Sequence, residues 1–101
     1  MAPRRLVVSD VHGESQRLLR VLEMANYDSS TDRLFLLGDY VDRGSDSTGT
    51  LKVVEKLVRN GAVALLGNHD LMMINSYYNE DNLLLWLCNG GHTTLEEFGG
   101  I

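Results

Sequence analysis

Three short apolar runs, Leu6-Val7-Val8, Leu34 to Leu37 and Ala62 to Leu66, each stop in a loop of Asp, Asn and Gly, and this pattern constrains the fold more than anything else in the chain. Runs rich in leucine and β-branched residues, bounded by Gly and Asp, read as buried strands that end in tight turns. After the first loop, Leu18, Val21, Leu22 and Ala25 recur at spacings of three and four. A helix capped by Ser15 and ending near Asn26 therefore lays one apolar stripe on the sheet. After the second loop, residues 45–50 lead into a helix striped by Leu51, Val54, Leu57 and Val58 and closed by Asn60-Gly61. Strand, helix, strand, helix, strand predicts an α/β fold: a βαβαβ unit with right-handed crossovers and a mostly parallel sheet. Beyond Asp70 the pattern is helical over Leu71 to Tyr78, about Asp81 to Leu87 and Thr93 to Phe98, with a turn at Gly90-Gly91.

Composition narrows the partners. At 101 residues, with 44% hydrophobic and 23% charged, the chain has the length of one domain and the means to bury a core. Its net charge of −5, with nine Lys and Arg scattered rather than clustered, argues against nucleic acid or an anionic membrane as a partner and suits a site that holds cations. The apolar run after Arg4-Arg5 is too short for a signal peptide, and Leu83 to Cys88 is far short of the roughly 20 residues that span a bilayer. The expected address is the cytoplasm. Cys88 has no second cysteine to pair with and reads as a small buried apolar residue. Trp86 with Leu83, Leu84 and Leu87 reads as core, Tyr77-Tyr78 as packing, and His92 as a helix-start residue.

In a parallel α/β sheet the carboxyl ends of the strands share one edge, where ligands bind. The three loops therefore converge and bring together Asp10, His12, Asp39, Asp42, Asn68, His69 and Asp70, with Arg43 as the only cation. Crowded carboxylates repel one another, and a cation relieves that repulsion. Mixed carboxylate, imidazole and amide donors suit Mn²⁺, Fe²⁺ or Zn²⁺ better than an all-oxygen calcium site. Asp10 and His12, two apart, are expected to point the same way from an extended segment. Arg43 beside such a cluster suggests a bidentate clamp for phosphate, and metals with a clamp suggest phosphoester hydrolysis.

The blocks Ser9-Asp10-Val11-His12-Gly13, Gly38-Asp39-Tyr40-Val41-Asp42-Arg43-Gly44 and Gly67-Asn68-His69-Asp70 resemble, in order and separation, the signatures GDxHG, GDxVDRG and GNH(D/E) of the calcineurin-like metallophosphoesterases, specifically the phosphoprotein phosphatase branch. Residues 86–95, from Trp86 to Leu95, resemble a segment of bacterial and phage serine/threonine phosphatases of that branch. The resemblance implies two divalent ions, Mn²⁺ first, with Fe or Zn as alternatives. It implies that Asp10 and His12 hold the first ion, Asp39 bridges and Asn68 binds the second. His69, oriented by Asp42, would protonate the leaving group; Arg43 and Asn68 would bind phosphate oxygens; a hydroxide between the ions would attack. The implied substrate is a phosphoprotein or a small phosphoester. A symmetrical diadenosine tetraphosphate hydrolase is the alternative, set second because Val41-Asp42-Arg43-Gly44 is intact; a non-catalytic metal-binding module is a third.

The same resemblance implies that residues 1–101 are the N-terminal half of a larger α/β sandwich, truncated before two further histidine ligands and a second phosphate-binding arginine. The chain alone is then expected to be inactive or nearly so. One sheet face is expected to lie bare, which favours a homodimer or a retained C-terminal fragment.

Overall fold

The computed structural model describes residues 3–100 and realises the βαβαβ plan. Strands β1 (Arg5–Val8), β2 (Arg33–Leu36) and β3 (Val63–Ala64) form a parallel sheet in the order β1-β2-β3. Helices α1 (Ser15–Met24) and α2 (Ser47–Arg59) are the crossovers. The chain continues through α3 (Asn68–Asn75) and α4 (Glu80–Trp86), a kinked turn (Leu87–Gly91) and α5 (His92–Glu97).

Strand alternation decides which residues make the core. Leu34 and Leu36 of β2 point to the helical side and are fully buried with Leu18 and Leu22 of α1, Val54 of α2, Val11, Tyr40 and Ala62. Truncating a leucine in such a cluster costs about 2–5 kcal/mol. The opposite row, Val7, Phe35 and Val63 in register, faces away from both helices. Val7 is 60% exposed, and Leu37, Val63 and Leu65 are also exposed, so the expected bare face is present.

Several local expectations shift. Ser15 is the first residue of α1 rather than its cap; its hydroxyl donates to Asp46 Oδ2 at 2.7 Å, tying the two helix starts together. Asp46 caps α2 by accepting from the Gly49 amide. Val21 and Val58, placed on the apolar stripes by spacing, are exposed at the stripe margins. Strand β3 is confined to Val63–Ala64, shorter than Ala62 to Leu66, although the Leu65 amide still reaches the Leu36 carbonyl. Helix α3 begins three residues before the expected Leu71, since the Asp70 carboxylate accepts from the Gly67 amide and caps the first turn. Cys88 is exposed, not buried, because it falls in the kinked turn beside Trp86, which takes the inward position. Tyr77 and Tyr78 are exposed and stack on each other edge to face, 5.5 Å apart, instead of packing inside. His92 does start a helix. No helix among the described residues is long and apolar enough to cross a membrane.

Candidate functional site

The loops after β1, β2 and β3 are bound to one another by backbone geometry. The His12 and Gly13 amides donate to the Asp39 and Tyr40 carbonyls at 2.9 and 2.8 Å. Gly38 and Gly67 touch so closely that a Cβ on either would collide with the other loop, so glycine is required where the second and third blocks meet. Asp70, expected among the cation-facing donors, does something else. It is buried, and its carboxylate accepts from the amides of Asp39 at 2.7 Å, Tyr40 at 3.0 Å and Gly67 at 2.9 Å, locking the second loop to the third.

The site residues adopt unusual backbone conformations. Among the described residues six non-glycine residues have positive φ, and five of them are Asp10, His12, Asp39, Asp42 and Arg43; the sixth is Asn26. Left-handed backbone costs a non-glycine residue roughly 1–2 kcal/mol, and such strain collects at functional sites. Asp10 and His12 thus sit beyond the end of β1, at φ 55° and 43°, and not on the extended segment that their spacing suggests.

Their side chains nevertheless converge. Asp10, His12 and Asp39 each offer a ligand atom within 4.8 Å of the others. His12 Nδ1 donates to the Val41 carbonyl at 2.9 Å, so Nε2 is the ring nitrogen left to serve as a ligand when the imidazole is neutral. Two carboxylates with an oriented imidazole fit a divalent first-row ion. Asp39 Oδ1 accepts from the His69 amide at 2.9 Å, which keeps one of its oxygens engaged and the carboxylate fixed.

Beside this cluster, His69 Nδ1 lies 2.9 Å from Asp42 Oδ2, and both residues are buried. Asp42 also accepts from the Trp86 indole and the Thr94 hydroxyl, partners that strand and loop patterns do not reveal. The signal for Trp86 was its N–H, since a buried indole seeks an acceptor; Trp86 is core, as expected, and also a hydrogen-bond donor to the site. Arg43 and Asn68 stand exposed at the same edge, Asn68 at the first turn of α3. Tyr40, under the site, is pushed up to about 12 by burial and then by the nearby Asp70 charge, so its hydroxyl stays protonated and donates to the Leu65 carbonyl at 2.6 Å.

The sequence profile of the family described as calcineurin-like phosphoesterase matches residues 3–101. The chain is 40% identical over 76 residues to a symmetrical bis(5'-nucleosyl)-tetraphosphatase of Pseudomonas entomophila, covering 75% of this chain and 26% of that protein. It is 46% identical over 67 residues to the enzyme of the same name from Aeromonas hydrophila, covering 66% and 24%. A crystal structure described as that of a candidate diadenosine tetraphosphatase superposes with a TM-score of 0.62 at 31% identity, over 72% of this chain and 32% of the other. The chain therefore spans about a quarter of the length of the relatives named here.

Proposed function

Because the chain belongs to the calcineurin-like phosphoesterases, we propose that it carries the first metal ligands and the proton donor of a metal-dependent hydrolase acting on bis(5'-nucleosyl) tetraphosphates. The observation that carries this reading is the juxtaposition of the Asp10, His12 and Asp39 cluster with the Asp42–His69 pair. The names of the relatives supply the substrate class and favour the tetraphosphate over a phosphoprotein, against the order suggested by the intact Val41-Asp42-Arg43-Gly44.

In this reading Asp10, His12 and Asp39 would hold one divalent ion, and Asp39 and Asn68 would contribute to holding a second. Divalent ions there supply charge neutralisation and an activated water. Arg43 and Asn68 bind and orient phosphate oxygens. Asp42 holds His69 by Nδ1, which leaves Nε2 as the nitrogen that would pass a proton to the departing oxygen as the phosphorus–oxygen bond breaks. From this chain the second ion has only Asp39 and Asn68, so residues 1–101, taken as part of the domain, are expected to turn over little by themselves.

The test compares diadenosine tetraphosphate with a phosphoserine peptide, using the full product of the gene with Mn²⁺. The reading expects kcat/KM at least about tenfold higher on the dinucleotide; a preference for the peptide restores the protein phosphatase reading, and no turnover of either with any divalent ion overturns both. His69→Asn should lower kcat by about 10²–10⁴-fold on alkyl phosphates, whose alkoxide leaving group needs the proton. The loss should be smaller on the tetraphosphate, where a diphosphate leaves without much help.

A further inference from the structure

Asp42 is fully buried, and its carboxylate is gripped from the C-terminal part of the chain. Trp86 Nε1, at the end of α4, donates to Oδ1 at 3.0 Å and to Oδ2 at 2.8 Å. Thr94 Oγ1, in α5, donates to Oδ1 at 2.7 Å. His69 Nδ1 takes the remaining direction on Oδ2. The backbone of the same residue is gripped as well. The Asp42 amide donates to Ser47 Oγ and Thr94 Oγ1, both at 3.0 Å, and the Arg43 amide donates to Thr93 Oγ1 at 3.0 Å. Because the single hydroxyl proton of Thr94 goes to Asp42, the 2.9 Å contact between Ser47 and Thr94 has Ser47 as donor.

These contacts fall on residues that need them. Asp42 and Arg43 stand at φ 76° and 70°, a conformation that an aspartate and an arginine hold only when surroundings impose it. Trp86 is seated by Gly91, whose missing Cβ leaves the room that the indole ring occupies. The kinked turn between α4 and α5, where Gly90 stands at φ 101°, sets Trp86 and Thr94 at a spacing that lets both reach one carboxylate.

We propose that Trp86 and Thr94 are positioning residues for the reaction: they hold the Asp42 carboxylate in the orientation from which it fixes His69 with Nδ1–H inward and leaves Nε2 to carry the proton. The inference rests on His69 being the proton donor but is tested without turnover. With histidine labelled by ¹⁵N, the His69 ring of the 101-residue chain is read by NMR at one fixed pH for the exchange rate of Nδ1–H. The native chain should show a slowly exchanging Nδ1 proton. Trp86→Phe and Thr94→Val each remove one donor while keeping shape, and each should speed exchange at least about tenfold, the worth of one such hydrogen bond. Thr94→Ser, which keeps the hydroxyl, should restore the native rate. Leu22→Ala, a core truncation that touches none of these groups, should leave the His69 signal unchanged at temperatures where the chain is folded. A native His69 signal in Trp86→Phe and Thr94→Val, or an equal change in Leu22→Ala, overturns the proposal. Failure of His69→Asn to affect turnover would instead remove the proton-donor reading while leaving this NMR result standing.

Discussion

The rings of His12 and His69 meet edge to face, their centroids 4.8 Å apart and their planes at 86°. Each is held through Nδ1 by one of two successive residues of the β2 loop: His12 by the Val41 carbonyl, His69 by the Asp42 carboxylate. One short stretch of the loop after β2 therefore orients both imidazoles, and the group offered to a metal lies against the group offered to a leaving oxygen. A displacement of Asp42 would disturb both.

The first consequence concerns the ion. Calorimetry of this chain with Mn²⁺ should show one site, and Asp10→Asn or Asp39→Asn should weaken it by about 100-fold or more, at least the size of effect seen when ligand-supporting groups are lost. Saturation at about 100 times the dissociation constant should stabilise the fold by about 2.7 kcal/mol. Equal affinity in Asp39→Asn would count against the cluster.

Asp70 makes a different prediction. An amide in its place brings an N–H₂ group toward backbone donors, leaving at least one of the three amides of Gly67, Asp39 and Tyr40 without an acceptor. Asp70→Asn should cost about 2–4 kcal/mol in urea unfolding and should weaken Mn²⁺ binding indirectly, by releasing Asp39. A stable variant with loosened ion binding alone would mean that Asp70 faces the ion after all.

At the other end of the sheet, Arg4 pairs with Asp32 at 2.8 Å. The guanidinium hydrogen bond, then the Asp28 amide, hold the Asp32 carboxyl down to about 2. A folded-state value below the unfolded one of 3.8 contributes stability above that value, which is lost as pH falls from 3.8 through about 2. Thermal melts across that range should fall less steeply in Asp32→Asn than in the native chain, with the variants differing most at neutral pH.

The bare sheet face is expected to drive association. Val7, Leu37, Val63 and Leu65 expose apolar surface in one patch with Phe35 at its centre. Sedimentation should show concentration-dependent self-association, and Val7→Lys with Val63→Lys should reduce it without altering Mn²⁺ affinity. A monomer at high concentration would mean that the patch is too small to matter.

Much of this was legible in one dimension because it follows from local rules. The apolar run Leu34 to Leu37 marked the central strand, the stripe through Leu18 and Leu22 marked the helix packed on it, and Gly61 closed α2 where the Asn60-Gly61 pair predicted. The three Asp, Asn and Gly loops announced their convergence, since parallel strands put all their carboxyl ends on one edge. Asp70 was misplaced for an equally physical reason. Its neighbours in sequence are site residues, but its oxygens are claimed by amides some 30 residues away in sequence, and spacing carries no information about such pairing.

The sequence by itself determined the parallel βαβαβ order, the donors that the loops bring together and the helical character of everything after Asp70, because turn chemistry and apolar period are properties of neighbouring residues. Only the tertiary structure decided that Asp10, His12, Asp39, Asp42 and Arg43 stand in left-handed backbone, and that Trp86 and Thr94 come back from 44 and 52 residues away to grip Asp42. Those are matters of hydrogen bonds closed across the fold, where a strained conformation persists because distant donors and acceptors hold it.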